Sequence, residues 1–139
     1  MPQTIVHFFR EPTGEVPVRD WLLELRRKDQ KAAAKCVARI ELLAEMGHEL
    51  RRPIADFLRD GIYELRVRKG SVNYRVLYFF HGKDVAILAH ALTKEADVPE
   101  VEIERALRRK AKFEANPDMH KFEYDPSLTQ KRGGPSLKR

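Results

Sequence analysis

The sequence predicts an α+β domain: an N-terminal strand and a two-helix hairpin packed on an antiparallel β-meander, closed by a C-terminal helix. Three observations lead there. Apolar residues recur at helical spacing from Val18 to Ala44. From Ile62 the period changes to two, over segments rich in Val, Ile, Tyr and Phe. The links between those segments are too short to hold crossover helices, so neighbouring strands should run antiparallel.

Residues 4–10 (TIVHFFR) read as a short strand, ended by Pro12, Thr13 and Gly14. Pro17 suits the first position of a helix, and Val18, Trp21, Leu22 and Leu25 form its apolar stripe. Asp29 can cap a second helix through its side-chain oxygen. That helix carries Ala33, Cys36, Val37, Ile40, Leu43 and Ala44 on one face and ends at Gly47. Residues 48–60, interrupted by Pro53, read as irregular. Ile62–Arg68, Ser71–Phe80 and Asp84–Thr93 read as three strands, joined by tight turns at Lys69-Gly70 and Gly82-Lys83. Pro99 opens the last helix. Its early acids (Glu100, Glu102, Glu104) and late bases (Arg105, Arg108, Arg109, Lys110, Lys112) complement the helix dipole. Ile103, Ala106, Leu107 and Lys110 give it only a partial apolar stripe. From Asn116 the apolar pattern stops. The expected division is a domain over 1–116 and a basic, disordered tail over 117–139.

Side chains alternate across a strand. One face of the first hairpin then carries Glu64, Arg66, Arg68, Ser71, Asn73, Arg75, Leu77 and Phe79. The other carries Tyr63, Leu65, Val67, Val72, Tyr74, Val76 and Tyr78, and should pack on the two helices. A two-residue turn at Lys69-Gly70 sets Arg66 opposite Asn73 and Glu64 opposite Arg75. A two-residue turn at Gly82-Lys83 brings His90 beside Arg75 and Lys94 beside Ser71, on the polar face. A loop one residue longer would send both to the other side. Packing does not account for three arginines on one sheet face. Guanidinium groups take carboxylate or phosphate partners, and Glu64 supplies only one. The alternatives are a phosphate-binding cleft, or an Arg75–Glu64 pair with two solvated arginines.

Net charge agrees with a polyanion partner. The chain has 27 Lys+Arg against 21 Asp+Glu, a net charge of +6. Leu50–Lys94 alone holds nine basic residues against four acidic. At 139 residues the chain is too short for a TIM barrel or a Rossmann pair. It has no apolar run of the ~20 residues a membrane span needs, and Met1–Arg10 does not read as a signal peptide. The single cysteine, Cys36, sits on an apolar helix stripe, so neither a disulfide nor a Cys-rich metal site is expected. No histidine pair has metal-ligand spacing, and no serine sits in a nucleophile elbow. These features point to a cytoplasmic protein without metal or cofactor. His90 has an ordinary pKa of about 6.5 and stands as an acid–base candidate. The plainer alternative is a strand histidine bonded to a neighbour.

Residues 61–94, GIYELRVRKGSVNYRVLYFFHGKDVAILAHALTK, carry a resemblance. Tyr63-Glu64-Leu65-Arg66 with Arg68, then Tyr74-Arg75-Val76-Leu77-Tyr78, then His90-Ala91-Leu92-Thr93-Lys94 and a proline-opened charged helix resemble the RelE/ParE superfamily of type II toxin–antitoxin toxins. The likeness is to its phage-derived HigB-like branch and extends over about residues 4–113, including the helix that ends Leu42-Leu43-Ala44-Glu45-Met46-Gly47. Val98 departs from the threonine often found before the proline, where Asp97 can substitute. The resemblance implies a small toxin neutralised by an antitoxin, expected to be a helix-turn-helix protein. It implies ribosome-dependent mRNA cleavage, translation inhibition, and attack of the RNA 2′-OH on the adjacent phosphate without a metal. Arg75, His90 and Lys94 are the implied catalytic residues. Arg66, Arg68, Lys69 and Asn73 are the implied RNA contacts. Two other classes stay open: a ParE-like toxin that inhibits DNA gyrase by binding, and a basic nucleic-acid-binding module without catalysis.

Overall fold

Alternating residues in Ile5–Phe9 form β1, which buries Val6 and Phe8 on one side and Phe9 on the other. Pro17 opens α1 (Pro17–Lys28), and one residue, Asp29, separates it from α2 (Gln30–Met46). The Asp29 carboxylate accepts the Ala32 N–H at 3.1 Å, the cap its side chain suggested. Gly47 ends α2 at φ 53°, where a Cβ would collide with the Thr4 hydroxyl, so glycine lets β1 start against the helix end. Four strands follow: β2 (Ala55–Arg59), β3 (Ile62–Lys69), β4 (Val72–His81) and β5 (Val85–Lys94). After α3 (Glu100–Ala115) come a single helical turn, α4 (Pro117–His120), and a short strand, β6 (Lys121–Glu123). This computed structural model describes residues 3–94 and 97–125.

The six strands form one mixed sheet in the order β2-β3-β4-β5-β1-β6. The meander is present, but the N-terminal strand joins it: β1 lies parallel to β5, while all other pairs are antiparallel. The segment expected to be irregular contains β2. Its turn to β3 is Asp60-Gly61, both at positive φ (53° and 85°), the combination a type I′ hairpin demands.

Two register details differ from expectation. The first hairpin turns on Gly70-Ser71 rather than Lys69-Gly70, because Gly70 (φ 62°) takes the first central position, where positive φ is needed. The slide of two residues keeps every side chain on its expected face but sets Arg66 opposite Arg75. The second hairpin has a three-residue loop, with His81 opposite Val85, which alone would invert β5. A bulge at Ala89 inserts one more residue, so that His90 faces Leu77 and Lys94 faces Asn73. The two deviations cancel, and β5 recovers the expected face over His90–Lys94.

Each sheet face has its own core. Leu22, Cys36, Ile40 and Leu43 from the helical hairpin meet Phe8, Leu65, Val76, Tyr78 and Leu88. On the opposite face Ala106 and Phe113 of α3 cover Ile62, Leu77, Phe79, Ile87 and Leu92. Phe113 completes the stripe that looked partial when read only as far as Lys110.

The tail expectation is corrected over residues 117–125. β6 pairs with β1, and Phe122 and Tyr124 place their rings 6.4 and 5.4 Å from Phe8. His120 is buried, stacks on Phe9 at 5.1 Å and bonds the Arg10 carbonyl at 2.7 Å through Nδ1. Three well-spaced aromatic or imidazole rings suffice to anchor a short segment that lacks a repeating apolar period. The rest of the expected tail lies outside the described residues. A chain ending at Asn116 should therefore melt roughly 5–10 °C lower than the full chain. Burying one large side chain contributes about 1.5–3 kcal/mol, and 1 kcal/mol moves a domain of this size by about 4 °C. Identical melting curves would contradict the docking.

Candidate functional site

The sheet face that carries the arginines holds a chain of alternating charges. Arg75 on β4 donates from Nη1 to Glu64 Oε1 at 2.8 Å. Arg66 on β3 donates from Nε to Glu64 Oε2 at 2.9 Å and from Nη2 to Asp56 Oδ2 at 3.2 Å. Arg52, just before β2, reaches the same Asp56 oxygen at 3.1 Å. Glu64 is only 2% exposed, so its charge is tolerated because each oxygen accepts a guanidinium N–H. Exposure falls from 39% for the Arg66 side chain to 12% for Arg75, so the group is deepest at Arg75 and Glu64.

This arrangement fixes guanidinium groups in place while leaving some of their five N–H donors unused. Arg75 Nε is buried and has no hydrogen-bond partner among the described residues. That donor belongs to one of the two guanidinium groups held by the same carboxylate. Arg68 is exposed and donates to the Gly70 carbonyl at 2.9 Å. Asn73 is half-buried opposite Arg68. Lys94 stands opposite Asn73 through its backbone; its side chain lies outside the described residues.

Two expected site residues are placed elsewhere. Lys69 projects from the other face of β3 and binds Asp29, the cap of α2, at 2.6 Å. It follows Tyr63, Leu65 and Val67 in the alternation, so it is not grouped with Arg66 and Arg68. His90 reaches the expected face but lies under α3. Its Nε2 is 2.5 Å from Glu102 Oε1, and Arg109 Nη1 stands 3.2 Å from its Nδ1. With arginine as the donor to Nδ1, the ring proton sits on Nε2 and points at the carboxylate. Arg109 also donates to the carbonyl of Ala89, the bulge residue left without a partner on β4, at 2.8 Å, and to Glu11 at 3.0 Å. His90 thus belongs to a network that fastens α3 to β5.

Burial lowers the pKa of His90 below the ordinary 6.5, and the Arg109 charge lowers it further, against the opposing pull of the Glu102 hydrogen bond. His7 is lowered too, by burial and then by Lys121. In both, the folded state binds a proton less readily than the unfolded chain. Their stabilising contribution is therefore full above about pH 6.5 and is lost as pH falls toward the lower folded pKa. The urea midpoint should drop between about pH 7.5 and pH 5.5, and His90→Gln should flatten that drop. A midpoint independent of pH over this window would contradict the assignment.

Sequence reasoning missed Arg52, Asp56, Glu102 and Arg109. Asp60-Gly61 was a usable signal, since Asp-Gly between apolar segments marks a two-residue hairpin and would have revealed β2 with Asp56. No local pattern marks the bulge that presents Ala89 to Arg109.

The family model described as phage derived protein Gp49-like matches residues 20–111, from early α1 to near the end of α3. The chain belongs to this family. The match takes in the whole Arg52–Asp56–Arg66–Glu64–Arg75 chain and the His90–Glu102–Arg109 network. The phage-derived origin expected from the strand motifs is in line with it. No curated protein matches the sequence. Among the described residues no helix is long and apolar enough to cross a membrane, and no group of three or more His, Cys, Asp or Glu side chains could hold a metal ion.

Proposed function

We propose that this Gp49-like protein is the toxin of a type II toxin–antitoxin pair, of the RelE/ParE superfamily, and that it inhibits translation by cutting mRNA on the ribosome. One observation carries the reading: Arg75 and Arg66 are locked opposite each other by a shared buried carboxylate. Such cations are already in place when charge develops on a phosphate, so no reorganisation is needed in the transition state. In the proposed step the 2′-oxygen attacks the adjacent phosphorus and the bond to the 5′-oxygen breaks. One proton leaves the 2′-OH and another reaches the departing oxygen. Arg75 and Arg66 stabilise the phosphorane, and Arg68 and Asn73 hold the flanking backbone. Lys94 is the remaining sequence-derived candidate for proton transfer, His90 being engaged at both ring nitrogens. The ribosome positions the message, and a cognate antitoxin blocks the site.

A second reading has its own support. The described carboxylates beside the arginines are tied to them, and His90 is occupied, so among the described residues no free general base stands next to Arg75. That favours a fold acting by binding alone, as a gyrase inhibitor or a basic nucleic-acid module. Adding the protein to a translating extract separates the two. Cut message supports the nuclease, and intact message with arrested gyrase or plain RNA binding supports the second reading.

A further inference from the structure

β2 is an edge strand of the sheet, and beside it opens a groove of about 510 Å³ lined in part by His48, Arg51, Arg52, Phe57 and Tyr63. Phe57 is 53% exposed, although it is a large apolar side chain on a strand. It is held from behind. Its ring meets Tyr63 edge-on at 5.2 Å, Tyr63 meets Phe80 at 5.4 Å, and Phe80 stacks on His48 at 3.7 Å. Phe57 is thus the outermost ring of a fixed aromatic ladder. Arg51 is exposed and has no ion-pair partner among the described residues. Arg52 shares Asp56 with Arg66, so the cationic rim of the groove continues around the sheet edge onto the arginine face.

A preorganised aromatic surface with unpaired guanidinium beside it suits a nucleotide: the ring offers a face to a base, and the cation meets the phosphate. An apolar peptide would use Phe57 but would leave Arg51 without a partner. A duplex would keep its bases inside the stack. We propose that this groove is a nucleotide subsite for single-stranded RNA, with a base stacked on Phe57 and the adjoining phosphate held by Arg51 and Arg52. The inference rests on the RNA reading above and extends it, since the strand would cross the edge of β2 between the groove and Arg75.

The test is fluorescence anisotropy with a labelled single-stranded RNA oligonucleotide, with circular dichroism to confirm folding of each variant. Phe57→Ala should weaken binding about tenfold, the loss of one stacked base. Phe57→Trp should restore it, with tryptophan emission quenched by RNA above the constant signal of Trp21. Arg51→Ala should reduce the dependence of log K on log salt by about one. Affinity for double-stranded RNA should not change with Phe57→Ala. A Phe57→Ala protein that binds the oligonucleotide within twofold of the wild type overturns the subsite. So does unchanged RNA affinity with loss of binding to a partner protein, which would reassign the groove. Message cleavage is read separately. Phe57-dependent binding without cleavage rejects the nuclease and supports the subsite, and cleavage with Phe57-independent binding rejects the subsite alone.

Discussion

Glu64→Ala is expected to lower the free energy of unfolding by about 3–5 kcal/mol, the range for removing one partner of a buried ion pair. The carboxylate is the only described group that holds Arg75, whose side chain is 12% exposed. Without it a guanidinium stays desolvated and unpaired, and Arg66 keeps only Asp56. Glu64→Gln should cost less, because the amide oxygen still accepts one hydrogen bond in nearly the same volume. A Glu64→Leu, Arg75→Met double variant should be more stable than Glu64→Ala. It removes both charges and fills the space with apolar atoms, which offsets the desolvation the pair undergoes. Urea unfolding at constant slope reads all three. A change under 1 kcal/mol for Glu64→Ala would mean that the cluster behaves as a solvated surface group.

Arg75→Ala should slow RNA cleavage by roughly two to three orders of magnitude, as expected for about 3–4 kcal/mol of lost electrostatic stabilisation. A phosphorane carries more negative charge than the starting diester. A fixed cation therefore lowers the barrier more than it tightens substrate binding. Arg75→Lys should recover only part of the rate, since lysine lacks the planar fork that grips two oxygens and Glu64 together. The polar face of β4 suggests that the fold would be indifferent to this change. The structure shows otherwise: Arg75→Ala leaves a buried carboxylate with Arg66 alone, so stability must be measured beside rate. Rates compared well below the melting temperature of each variant separate the two effects. Arg66→Ala and Arg68→Ala should act more weakly, through affinity and its salt dependence. Wild-type cleavage by folded Arg75→Ala would remove Arg75 from the chemistry.

Much of the architecture was legible because local chemistry and global fold agree. Pro17, Asp29 and Gly47 delimit the two helices where capping physics places them. The period-two pattern from Ile62 assigned Glu64, Arg66 and Arg75 to one face, and the face survived a two-residue slide because the side-chain period is two. His90 reached its face only through two compensating irregularities, a longer loop and a bulge, neither encoded by a local pattern. β2 was hidden by Pro53 and by its short length, and with it Asp56, the second carboxylate among the arginines. Of the two arginines that the alternative left solvated, Arg66 takes both Asp56 and the second oxygen of Glu64, while Arg68 donates to the Gly70 carbonyl. Docking of Phe122 and Tyr124 on Phe8 depends on tertiary contacts that a scan for periodicity does not detect.

The nature of the cut ends on a message in a translating extract tests the central claim most directly. Attack by the 2′-oxygen predicts fragments bearing a 2′,3′-cyclic phosphate on one side of the break and a 5′-hydroxyl on the other. These should appear with the wild-type protein and be strongly reduced with Arg75→Lys. Fragments ending in a 3′-hydroxyl and a 5′-phosphate, or a message left intact by demonstrably folded protein, would contradict the account.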